Sequence, residues 1–112
     1  MNRITKVSDI EPSDMFEHLG VADYSETDVN KMWTYLQAAK VIVQARTLLP
    51  NIESLDKYPS LVVAVLLECS RIYDNKMPDD HTGKESPVLE AIYKPIRPKI
   101  YIRKQPEEDK KD

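Results

Sequence analysis

Glycine and cysteine are nearly missing from this chain, with two glycines and one cysteine in 112 residues. The lone Cys69 cannot staple a fold by disulfides, and its place within an apolar stripe reads as a buried, inert thiol. With only Gly20 and Gly83 there is no room for a glycine-rich phosphate loop. Long apolar runs are missing too; none approaches the roughly 18 residues that a membrane span needs. The leading MNRITKVSDIEP lacks the apolar core of a signal peptide, so an origin in the cytoplasm is expected. Nor is there a surplus of positive charge. Sixteen Lys and Arg stand against nineteen Asp and Glu, for a formal net charge of -3, which does not describe a broad basic face for nucleic acid.

What is present is proline, charge and one concentrated apolar segment. Eight prolines separate the elements, and charged residues make up 31% of an ordinary solvated surface. The length suits a single domain that buries roughly 60–70% of its unfolded surface. Leu61 to Leu67 is an unbroken apolar run that, taken alone, fits a buried strand or a buried helix. Its continuation favours a central helix from Pro59 or Ser60 to Lys76. Val62, Val65, Leu66, Cys69, Ile72 and Tyr73 share one helical face, while Glu68, Arg71, Asp74 and Asn75 gather on the other.

The remaining elements are arranged around that helix. A short helix is expected around Ser8 to Leu19, with Pro12 near its first turn, Met15, Phe16 and Leu19 inward and Gly20 as its stop. A long helix from about Thr27 to Leu49 starts at Ser25-x-x-Asp28, a capping box with Asp in place of Glu. Val29, Met32, Trp33, Leu36, Ala39 and Val43 form one stripe along it; Tyr35, Ala38, Ile42, Ala45 and Leu49 form an adjoining one. So wide a face either packs against two elements of its own chain or meets another subunit in part. Pro50 ends this helix, and Asn51 to Tyr58 reads as a connection. Met77 to Glu85 is a polar loop, after which Ser86-Pro87 caps a short helix with Val88, Leu89, Ile92 and Tyr93.

Pro95 and Pro98 exclude a regular helix at the end of the chain. Ile100 to Lys104 (IYIRK) alternates as a strand without a local partner, and Gln105 to Asp112 is charged and expected to be disordered. The fold class is therefore all-α: a small compact bundle of three to four helices over residues 1–94, with an extended, partly disordered C-terminal arm over 95–112.

An active site is hard to assemble from these residues. His18 and His81 lack a second His or Cys at ligand spacing, so no metal site is expected. Asp79-Asp80-His81 reads as solvated loop, with a metallo-hydrolase as the distant alternative. Ser70 lacks the surroundings of a nucleophile. The chain is accordingly read as non-enzymatic and without cofactors. Three short helices could house a helix-turn-helix, and a small DNA-binding regulator is the alternative function. Against it, the central helix sets Arg71, Asn75 and Lys76 beside Glu68 and Asp74. The C-terminal arm is more basic, with Lys94, Arg97, Lys99, Arg103 and Lys104 interleaved with Tyr93 and Tyr101. It fits contact with a phosphate backbone or a channel lining, but charge balance favours a docking arm whose acidic end, Glu107 to Asp109, offsets the charge.

From about Asp9 to Arg97 the chain resembles the small helical head–tail connector (adaptor) proteins of tailed bacteriophages, also called DNA-packaging or head-completion proteins. The segments that carry the resemblance are DMFEHLGV, ETDVNKMWTYLQAAKVIV, LVVAVLLECSRIYDNK and PVLEAIYKPIRP. The resemblance implies a helical protomer in a homo-oligomeric ring of about twelve copies. That ring would dock beneath the portal protein, extend the DNA channel without sequence-specific binding, and present a surface to a downstream head-completion or tail protein. The location so implied is the virion's head–tail interface. Tyr73, Asp74, Asn75 and Lys76 match the family's motif at the end of its apolar helix. The arm's prolines and long charged tail depart from the family pattern. Subunit or portal contacts are expected at Tyr35, Ile42, Arg71, Tyr73, Asp74, Asn75 and Lys76, and in the arm at Ile96, Arg97, Lys99, Ile100, Tyr101, Ile102 and Arg103.

Overall fold

The computed structural model describes residues 4–75 and 86–98, and over these the protein is all-helical. Four α-helices follow in order: α1 (Pro12–Leu19), α2 (Glu26–Thr47), α3 (Ser60–Asn75) and α4 (Pro87–Tyr93). Short 3-10 helices at Val7–Asp9 and Ile52–Lys57 precede α1 and α3.

The helix ends are set by local hydrogen bonds. Ser25 Oγ accepts from the Asp28 N–H at 3.1 Å, and Asp28 returns the bond by accepting from the Ser25 N–H at 3.0 Å, closing the expected box at the start of α2. Ser86 caps α4 by accepting from the Leu89 N–H. Gly20 ends α1 in the left-handed conformation (φ 77°), and the Val21 N–H bonds back to the Phe16 carbonyl at 2.9 Å, an arrangement that favours glycine. Leu48 ends α2 in the same region (φ 61°) without glycine's freedom.

The core draws on every element. Val7 and Ile10 close it at the N-terminal side, and Met15 and Phe16 enter from α1. From α2 come Met32, Leu36, Ala39 and Val43; from α3 come Leu61, Val62, Ala64, Val65 and Cys69. Leu89 and Tyr93 seal it from α4. The α2–α3 pair is the main packing contact, with α1 against both and α4 against α3. Tyr35 meets Tyr73 while Arg46, farther along α2, reaches back to Glu68, so the two helices run antiparallel.

Several expectations change. Asn51 to Tyr58 is not a plain connection: Asn51 Oδ1 accepts from the Ser54 N–H at 2.9 Å, and the 3-10 helix it caps buries Leu55 completely. On α2 only the first stripe enters the core, and Trp33 leaves it, standing 42% exposed. Ala38 and Ala45 are also exposed, while Tyr35, Ile42 and Leu49 are half-buried. Lys40 is instead tucked in, at 9% exposure. Glu68, assigned to the polar side of α3, is buried to 3% because α4 and Arg46 close over it. The loop Met77 to Glu85, the IYIRK segment and the tail from Gln105 lie outside the described residues.

Candidate functional site

Three features rise above ordinary packing. The first is a polar cluster that ties α2, α3 and α4 together. The Tyr93 hydroxyl donates to Glu68 Oε2 at 2.6 Å, Arg46 Nε stands 3.8 Å from the same oxygen, and Arg71 Nη1 donates to Oε1 at 3.3 Å. Arg97 continues the cluster, donating through Nε to the Arg46 carbonyl at 2.8 Å and through Nη1 to Glu90 Oε2 at 2.6 Å. Burial, then the hydrogen bond to Glu68 and that carboxylate's charge, push the Tyr93 phenol well above its ordinary value. A phenol held this firmly in its protonated form anchors structure and offers no base or nucleophile. Cys69 is equally inert: burial pushes its thiol up to about 12, and its Sγ lies 3.8 Å from Met32 Sδ.

The second feature is a cleft of about 200 Å³. It opens where the end of α1 and the segment after it meet the first turns of α2 and the last turn of α3. Phe16 and Tyr24 stack in its wall with ring centroids 4.0 Å apart, and Tyr35 meets Tyr73 edge to face at 6.3 Å. Asp23, Asp28 and Lys31 supply the charges, and Val21 and Met32 complete the lining. The Ser25 N–H holds Asp28 below the usual carboxylate range; its partial desolvation acts the other way, and the Ser25 hydroxyl and Lys31 reinforce the lowering. Aromatic faces beside carboxylates are a surface for an organic cation.

The third feature is the outer face of α2. Thr34, Ala38, Val41, Ala45 and the capping Leu48 follow one another at spacings of four and three, and all five are exposed. Val41 is 57% and Leu48 44% exposed. Between Lys31 and Arg46 the only charged residue is Lys40, which points inward, so this ridge runs for about four turns without an exposed charge. Such spacing is the seam one helix offers to another.

The residues singled out from the sequence fall into separate places. Tyr35 and Tyr73 come together in the cleft. Ile42 is half-buried at the side of α2, and Arg71 serves Glu68 from the surface of α3. Asp74 is exposed near the end of α3, and Asn75 is that helix's last residue. Ile96 packs against the core and Arg97 bonds to α2 and α4, so the first residues of the expected arm are joined to the body. Lys76, Lys99, Ile100, Tyr101, Ile102 and Arg103 lie outside the described residues, as do Asp79, Asp80 and His81. Reading by residue type missed Asp23 and Tyr24, whose position in an apparent loop carries no periodic signal. It missed the ridge as well, although the absence of charge from Met32 to Ala45, Lys40 aside, was a usable sign.

Comparison with protein-family models, with curated proteins and with solved structures finds no match for the chain. Among the described residues, no three His, Cys, Asp or Glu side chains converge on a common point for a metal. No described helix is long and apolar enough to cross a membrane.

Proposed function

We propose that this chain works by assembly, as a protomer of the phage head–tail connector type. On this reading it joins other copies in a ring beneath a portal, lengthens the DNA channel and receives the next head-completion or tail component. The observation that carries the reading is the uncharged outer ridge of α2. A long helix that already buries one face in its own core keeps a second, opposite seam free of charge over four turns, in a chain that is 31% charged. Leu48 adds to the argument, since it combines an exposed apolar side chain with a left-handed backbone. Neither feature benefits the isolated fold, and both suit a surface that another subunit covers. The order of a short helix, a long capped helix, an apolar helix and a second short helix also agrees with what the resemblance implies.

The DNA-binding alternative has less support. The exposed side of α3 presents Val63, Arg71 and Asp74, with Leu67 and Ser70 half-exposed. Arg71, the one base-reading cation there, is already engaged by Glu68 at 3.3 Å.

The test is mass. Sedimentation of the full chain, alone and with a portal ring, should yield a ring-sized complex, and Val41→Glu should remove it while leaving helicity intact. A chain that stays monomeric with portal present, yet shifts duplex DNA with an affinity falling steeply in salt, supports the regulator instead.

A further inference from the structure

We infer that the cleft between α1, α2 and α3 receives the basic segment Lys99–Lys104 from a second copy of this chain. The inference rests on the assembly reading and deepens it by naming one contact through which copies join.

The cleft's chemistry selects a cation. Three tyrosines line it with ring faces and edges, Tyr24 stacked on the buried Phe16, and Asp23 and Asp28 outweigh Lys31 by one charge. Asp28 is partly committed to the helix cap through Ser25; Asp23 makes no hydrogen bond or ion pair among the described residues, so its carboxylate remains available. A guanidinium or ammonium group placed there would gain both ring and carboxylate contacts.

The chain itself contains a complementary segment. Lys99, Arg103 and Lys104 put three cations in six residues with no acid, flanking the apolar Ile100, Tyr101 and Ile102. The apolar members suit the aromatic wall and the cations suit the two aspartates.

Reach decides which copy supplies it. Arg97 is fastened to the Arg46 carbonyl, at the far end of α2 from the cleft. Eighteen residues of helix separate Arg46 from Asp28, about 27 Å at 1.5 Å per residue. Six residues of fully extended chain, from Arg97 to Arg103, cover only about 20 Å. A chain docking on its own cleft would have to run taut along the whole bundle. A second copy meets no such constraint. Each protomer then gives a segment and receives one, which makes the contact heterologous and able to close into a ring.

The experiment uses full-length variants in sedimentation equilibrium at low salt. Asp23→Lys and Arg103→Glu should each weaken self-association about tenfold. An equimolar mixture of the two should recover it, because the intact segment of one variant meets the intact cleft of the other. Losses that mixing does not repair would mean docking within one chain and overturn the inference. Self-association that is untouched by either substitution but lost in Val41→Glu also overturns it, and leaves the assembly reading standing. Should the wild-type chain be monomeric by itself, a synthetic Lys99–Lys104 peptide titrated into it decides. Shifted ring resonances of Tyr24, Tyr35 and Tyr73 support the inference, and unshifted ones end it.

Discussion

Tyr93 and Glu68, 25 residues apart in the chain, meet inside the protein through a 2.6 Å hydrogen bond from the phenol to the carboxylate. That bond joins the short α4 to the middle of α3, and α4 has only seven residues of its own. A helix so short has little stability without tertiary contacts. Tyr93→Phe should cost about 2 kcal/mol in urea unfolding, since a buried carboxylate loses a donor and gains nothing. Combining it with Glu68→Gln should show strong coupling in a double-mutant cycle. Additive losses would mean the two side chains act independently.

The start of α2 offers a second measurement. Ser25→Ala removes the acceptor for the Asp28 N–H and should cost about 1 kcal/mol by thermal or denaturant unfolding. The same box makes a statement about acid. Asp28 is held below its ordinary pKa in the folded chain, so its contribution is complete above the unfolded carboxylate value. It is lost as pH falls through the lowered folded value. Asp28→Asn should therefore flatten part of the acid limb of a stability–pH curve.

At the alkaline end the sign reverses. Burial raises Cys69 from 9.0 to about 12, and Tyr93 is raised as well. Both groups favour the folded state fully below their unfolded values, and that contribution declines as pH climbs above about 9. Unfolding midpoints should fall across this range. In parallel, Cys69 should be silent to a thiol reagent at pH 8 in native protein and react at once in denaturant. Prompt labelling of the native chain would contradict the buried assignment.

Leu48 supplies a prediction with two opposite readouts. Its left-handed backbone carries a steric cost that glycine avoids, so Leu48→Gly should stabilise the isolated chain by about 0.5–1 kcal/mol. The same change shortens the exposed ridge of α2 and should weaken the proposed assembly. A variant that is both more stable and fully competent to assemble would remove Leu48 from the contact surface.

Much of this molecule could be read from short stretches of its chain. Ser25 with Asp28, Ser86 before Pro87 and Gly20 after Leu19 each act within a few residues, so their geometry is already implied by their spacing. The apolar face of Ser60–Asn75 was legible for the same reason, because a run of that length with a one-sided continuation has few other solutions. The charge at Glu68 and the ring of Trp33 were not legible. Helical periodicity places a residue on a face, but whether that face is covered depends on distant elements. Glu68 is interior only because Tyr93 and Arg46 arrive to satisfy it, and Trp33 is exposed because nothing among the described elements packs over its side of α2.

By itself, then, the order of amino acids determined the four α-helices, most of their caps and that one core unites them, while the 3-10 helix at Ile52–Lys57 was not legible in it. Those outcomes depend on hydrogen bonds and side-chain spacing within a turn or two of the chain. Only the tertiary structure decided that Tyr35 and Tyr73 share an acidic cleft with Asp23, that Arg97 is fastened to α2, and that no described element packs over the outer ridge of α2. Those relationships come from the packing of helices against one another, and packing depends on contacts between residues that are far apart in sequence.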